Sequence, residues 1–163
     1  VISLAPLDWS DGHTVAHIAP FPDQIPFAGT VEEILKEPPE RFDLHQILST
    51  DADGDTTPVG VFKIDRRYHT SFTFAPVTDI GLRALIIDAR VQGQGVGTAA
   101  MHRLAPHLAP LYPGANFVYL TVNFQNLTAL SVYTRAGFEN TGEVWLHGAA
   151  GPQAVMRLPL PRA

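Results

Sequence analysis

Cysteine is absent from the 163 residues, which removes disulfides, thiolate zinc sites, thiol nucleophiles and Cys-x-x-Cys redox chemistry together. Compartment cannot be read from cysteine usage. Charge is scarce as well: 17% of residues are Asp, Glu, Lys or Arg, below the roughly 25% of an ordinary globular chain. Eleven Lys and Arg stand against 16 Asp and Glu, a net charge of −5, so the basic surplus that phosphate-backbone binding requires is missing and no nucleic-acid partner is expected. Long apolar runs are missing too. The longest, 84–87 and 117–120, fall far short of the roughly 18 residues of a membrane span, so no membrane partner is expected. What is present is apolar material for a core, 45% of the chain, and a length that suits a single domain over 1–163. The chain begins at Val1 rather than Met, so trimming of an upstream segment is left open, no signal peptide is readable, and a cytoplasmic location is the default.

The hydrophobic pattern divides the chain. Residues 1–5 read as a short strand, and Pro20, Pro22 and Pro26 keep the helices that follow short. Thr30 sits three residues before Glu33, the spacing of a capping box, and Val31, Ile34 and Leu35 give one apolar face, so 30–36 reads as a helix ended by Pro38 and Pro39. Runs 42–48 and 59–64 flank the turn-rich stretch 51–55 and predict a β-hairpin. Residues 82–87 and 117–122 are short apolar runs, each followed by a helical pattern, which predicts strand, helix, strand, helix with the two strands parallel. Pro106 predicts a stop or kink near Arg103 in the first of those helices. Runs 138–146 and 154–160 read as two closing antiparallel strands.

The most informative segment is Leu85, Ile86, Ile87 running through Asp88 into Gln92, Gly93, Gln94, Gly95, Val96, Gly97 and Thr98. A buried strand opens into a loop with glycines at alternate positions, and a helix is expected to start at Gly97, the last of them. Glycine lets the backbone take positive φ and approach a ligand, while a helix's first turn leaves up to four N–H groups without internal partners. Such donors hold a phosphate or diphosphate without any basic side chain. The plain alternative is a turn that only lets a helix pack closely on a sheet, and the glycines alone do not separate the two. A Walker loop fails, because no Gly-Lys-Ser/Thr follows. A dinucleotide fold has Gly95-x-Gly97-x-x-Ala100 in its favour, but the next strand ends in Asn123 instead of an acid, and the parallel pattern is too short for two mononucleotide halves.

Gln92-x-x-Gly95-x-Gly97 resembles the acyl-CoA diphosphate loop of the GNAT acetyltransferase superfamily. A second motif, Asn126-x-x-Ala129-x-x-x-Tyr133-x-x-x-Gly137-Phe138, is similar to that family's helix after the fifth strand. Read without the resemblance, most of this second motif is structural: Asn126 is a good N-cap, Ala129, Val132 and Ala136 form an apolar stripe, and Tyr133 is most simply a core residue. The resemblance implies more. It implies an α/β (α+β) fold with a mixed central sheet of six or seven strands, flanked by helices and splayed between its parallel central strands. It also implies acetyl-CoA as cosubstrate with no metal, Leu85, Ile86 and Ile87 bonding the pantetheine arm, the loop from Gln92 to Thr98 holding the diphosphate, Asn126 near the arm, and Tyr133 as the general acid toward the departing thiolate.

The implied activity is direct N-acetylation of a small-molecule amine. The phrase from Leu85 to Gly95 resembles most the diamine and polyamine branch, and a cationic acceptor suits the acidic balance. Where many relatives carry a glutamate early in the fourth strand this chain has Gly81, which leaves Asp79 and His69 as candidates for the general base. A non-catalytic acyl-CoA-binding sensor and a protein or peptide N-acetyltransferase are the alternatives, and a homodimer is left open. Asp51, Asp53 and Asp55 have calcium-loop spacing, but the sixth-position glycine and twelfth-position glutamate are missing, so a solvated turn is expected. His13 and His17 share a face only if helical, and no third ligand has suitable spacing.

Overall fold

The turn at 51–55 closes a hairpin between β2 (Phe42–Thr50) and β3 (Thr56–Asp65). Asp51 makes the turn, its Oδ1 accepting the amides of Asp53 and Asp55 at 2.9 Å each, so this aspartate serves the backbone as turn aspartates do. The computed structural model, which describes residues 1–161, builds outward from this hairpin into a seven-stranded sheet of order β1-β2-β3-β4-β5-β7-β6. β1 (Ile2–Pro6) pairs antiparallel with β2, and β4 (Ile80–Ile87) antiparallel with β3. β5 (Phe117–Asn123) is parallel to β4. Of the closing strands, β7 (Gln153–Pro159) lies against β5, and β6 (Glu139–Trp145) forms the edge. The fold is the mixed, helix-flanked sheet expected, with seven strands.

Alternation along β5 sorts the two faces. Val118, Leu120 and Val122 enter the larger core, with Phe62, Met101, Leu104 and Met156, whereas Tyr119 joins an aromatic cluster containing Tyr68 and Phe72. The larger core is covered by α4 (Val96–His102), α5 (Leu104–Leu108) and α6 (Leu127–Arg135). α4 stops at Arg103, and Pro106 falls in the first turn of α5, where its missing N–H costs nothing. α1 (Ile25–Ala28) and α2 (Val31–Leu35) are short, as the prolines dictate, and lie by a third cluster with Val15, Ile18 and Ile86. Thr30 caps α2, its Oγ1 accepting the Glu33 amide at 3.2 Å. α3 (Tyr68–Ser71) links β3 to β4. No described helix is long and apolar enough to cross a membrane.

Candidate active site

β4 and β5 pair at only two positions, Ile80 with Val118 and Gly81 with Tyr119. The cause lies on the other edge of β4. Its register with β3 jumps from Phe62 opposite Leu85 to Lys63 opposite Arg83, leaving Ala84 as the extra residue of a β-bulge at φ +61°. A bulge bends its strand and increases the local twist, and an alanine at positive φ costs roughly 1–2 kcal/mol. Beyond Gly81 the two strands therefore diverge. The slot between them opens into a cavity of about 570 Å³, within the range of roughly 300–1,000 Å³ typical of small-molecule sites.

One end of the cavity is the glycine loop. Asp88 begins it, its Oδ1 accepting the Arg90 amide at 3.2 Å while its Oδ2 takes the Arg90 guanidinium at 2.6 Å, and these bonds hold its carboxyl below the usual carboxylate range. Gln92 Nε2 donates to the Ile87 carbonyl at 2.9 Å and to Gln24 Oε1 at 2.8 Å. Gly95, at φ +78°, is the N-cap of α4 and offers no side chain to the first turn. No side chain caps the amides of that first turn, and Gly95, Val96, Gly97 and Thr98 all line the cavity. The helix thus starts one residue earlier than expected. Gly97 lies inside it, where an added Cβ would meet Ile87 and Val132 at an ordinary 3.8 Å, so conformational need for glycine falls on Gly93 and Gly95 instead. Leu85, Ile86, Ile87, Gln92 and Gly93 line the cavity, whereas Gln94 does not.

α6, packed beside α4, forms another part of the wall. Asn126 is its N-cap, with Oδ1 accepting the Ala129 amide at 3.2 Å, so its side-chain oxygen already serves the helix. Tyr133 reaches the cavity two turns later. Its ring packs edge-on against Phe138, centroids 5.3 Å apart, and burial pushes its phenol well above the ordinary value. Arg135 is the single cation among the described wall residues. Sequence reasoning passed over it, since its position in α6 becomes meaningful only once the helix lies along the slot.

Apart from Arg135 the described wall is uncharged and includes Phe27, Ala28, Asn123, Ala150 and Gln153, and Asn123 Nδ2 holds the loop after β6 through the Ala150 carbonyl at 2.9 Å. No Asp, Glu or His occurs among the described wall residues. Asp79 and His69, the two base candidates, lie outside the wall. Asp79 is buried and its Oδ1 accepts the amides of Asn116 and Phe117 at 2.8 and 3.3 Å, so it fixes the entry into β5. His69 sits in α3. His13 belongs to a short 3-10 turn that ends before His17, and no group of three metal-ligating side chains occurs among the described residues.

A model of the acetyltransferase (GNAT) family matches residues 7–138. The spermine/spermidine N(1)-acetyltransferase of Bacillus subtilis is 36% identical over 69 residues, 42% of this chain and 45% of that protein; the match therefore spans less than half of the curated relative. Among solved structures, the aminoglycoside acetyltransferase AAC(6')-Ib in complex with coenzyme A superposes with a TM-score of 0.73 at 17% identity, covering 98% of this chain and 95% of that one. A spermidine N-acetyltransferase from Vibrio cholerae in complex with CoA and spermine gives 0.65 at 15% identity, covering 98% and 95%. At those identities the two structures share the fold with this chain.

Proposed function

The chain belongs to the GNAT acetyltransferase family, and from that premise we propose that it is an acetyl-CoA-dependent N-acetyltransferase that acts on a small amine by direct transfer. The observation that carries this reading is the slot between β4 and β5, whose cavity is lined by the uncapped start of α4 and by Tyr133. The fit to the cosubstrate follows from the donors. Unpaired amides at Val96, Gly97 and Thr98, in the positive field of a helix start, suit a diphosphate, and Arg135 adds the charge that a phosphate group attracts. Between them the unpaired edge of β4 beyond Gly81 offers backbone groups to the amides of a pantetheine arm.

At the thioester, Tyr133 supplies a hydroxyl. Burial keeps it protonated, so it is a hydrogen-bond donor toward a departing thiolate at any ordinary pH. The uncharged amine nitrogen attacks the acetyl carbonyl directly. As the C–S bond breaks, the thiolate takes the Tyr133 proton, and the proton shed by the acylated nitrogen restores the phenol by way of solvent, so no covalent enzyme intermediate is required. Polyamines are the acceptor class we favour, on the likeness to the Bacillus subtilis spermine/spermidine enzyme and the net charge of −5.

A non-catalytic acyl-CoA-binding domain is the second reading, favoured by the absence of Asp, Glu and His from the described cavity wall. Release of free thiol from acetyl-CoA with an amine panel that includes spermidine separates the two. Amine-dependent release supports the enzyme; tight CoA binding with no release for any amine supports the sensor.

A further inference from the structure

Where β4 and β5 part, the cavity reaches both faces of the sheet. Val96 and Tyr133 belong to the core on the face of α4 and α6, whereas Ala28, Ala84 and Ile86 belong to the cluster on the other face, and all five line the cavity. With the glycine loop and Tyr133 on the first face, the second is left for an acceptor. Strand alternation puts Asn123 of β5 and Gln153 of β7 there, opposite each other and on the side of Tyr119 and Val155. A nitrogen arriving on this face meets no Asp, Glu or His among the described wall residues. β4 cannot supply a carboxylate at Gly81 either, because the Tyr68 ring lies on that backbone, where an added Cβ would come within 1.9 Å of Tyr68 Cδ1.

The oxygens left to meet it are those of neutral side chains. Gln24 and Gln92 spend theirs on each other, Asn123 Oδ1 accepts the Gln125 amide at 2.8 Å, and Asn126 Oδ1 accepts the Ala129 amide. The Thr121 hydroxyl faces the buried Tyr68 phenol. Gln153 is the wall amide that spends no hydrogen bond on any described group. Packing places it nonetheless. The loop after β6 lies against its stem at Gly148, where an added Cβ would meet Gln153 Cδ at 2.9 Å and the Gly151 carbonyl at 2.7 Å.

We infer that Gln153 Oε1 receives an N–H of the acceptor amine and turns the nitrogen lone pair toward the acetyl carbon. This rests on the acetyltransferase reading above. An uncharged primary amine has two N–H groups and one lone pair, so fixing an N–H limits where the lone pair can face. As the N–C bond forms the nitrogen gains positive charge, and its hydrogen bond to a carbonyl oxygen strengthens; the contact therefore favours the transition state over the bound amine. Gln153 takes up no proton.

Gln153→Met keeps the length of the side chain without the carbonyl oxygen, and Gln153→Glu keeps an accepting oxygen at the same reach. The measurement is steady-state kinetics of the full chain with whichever amine of a panel, spermidine and benzylamine included, the wild type acetylates fastest. For Gln153→Met the inference predicts a fall of about tenfold or more in kcat/KM for the amine, mostly in kcat, with KM for acetyl-CoA within about twofold of wild type. Gln153→Glu should stay within about threefold of wild type. Unchanged amine kinetics in Gln153→Met overturn the inference, as do equal rises in both KM values, which mark general loosening, and a Gln153→Glu that falls as far as Gln153→Met. A wild type that acetylates no amine of the panel fails the acetyltransferase reading and this inference with it. An active wild type with an unaffected Gln153→Met fails this inference alone.

Discussion

Gln24 and Gln92 close a cyclic amide pair, each Nε2 standing 2.8 Å from the other's Oε1. The bond pair joins the proline-bounded segment before α1 to the loop that leads into α4, across 68 positions of sequence. Both residues lie on the cavity wall.

Removal of either amide leaves its partner half satisfied. Gln24→Ala and Gln92→Ala should each lower stability by about 1 kcal/mol, or roughly 2–4 °C in Tm for a chain of this size. Because the two side chains serve one another, the double variant should lose less than the sum of the singles. Thermal unfolding of the four proteins checks this; strict additivity would mean that the pair does not form.

Ala84 carries the bulge that parts β4 from β5. At φ +61° it holds a conformation that glycine adopts without strain, so Ala84→Gly should raise stability by about 1 kcal/mol. A lower Tm for this variant would contradict the bulge geometry.

His45 is 1% exposed, stacked on Phe62, with Nδ1 2.9 Å from His107 Nε2 and Nε2 3.1 Å from the Tyr112 hydroxyl. Burial first, and His107 second, push it down to about 3; burial lowers His107 as well. An unfolded histidine binds its proton near pH 6.5, so as pH falls the unfolded state gains protons that the folded state refuses. The stability present above pH 6.5 is therefore lost progressively toward about 3. Tm should decline between pH 6.5 and 4.5, and His45→Gln should flatten that decline. Parallel curves for variant and wild type would refute the assignment.

Tyr133→Phe should lower kcat by about a hundredfold while leaving CoA affinity within a few-fold. Burial raises the wild-type phenol above its ordinary value, which is about 10, so the acid form persists throughout the neutral and mildly alkaline range. No fall in kcat from phenol ionisation should appear between pH 7 and 10. An alkaline loss near pH 9 that vanishes in Tyr133→Phe would show a phenol less buried than this one.

Much of this arrangement was legible in sequence because its causes are local. Thr30 and Asn126 cap the helices they precede, Pro106 divides α4 from α5, and the 51–55 turn closes its hairpin. The glycine loop was legible as a type, but the division of labour within it was not, since Gly95 and Gly97 differ only in backbone angle once α4 is placed. The bulge at Ala84 leaves no mark in an apolar run; the mismatch with β3 produces it. Asp79 looked available for chemistry because a sequence cannot show that the amides of Asn116 and Phe117 already occupy it. Tyr68 and Gly81 are 13 residues apart on different elements, and only the packing of α3 on β4 connects them.

The central claim is that the backbone at the start of α4 holds the diphosphate of coenzyme A. Calorimetric titration of wild type and Gly95→Val with coenzyme A, and with pantetheine, which lacks the diphosphate, tests it most directly. The account predicts a loss of about a hundredfold or more in coenzyme A affinity for Gly95→Val, with pantetheine binding equally to both proteins. Equal coenzyme A affinity in the two proteins, or none in wild type, would contradict it.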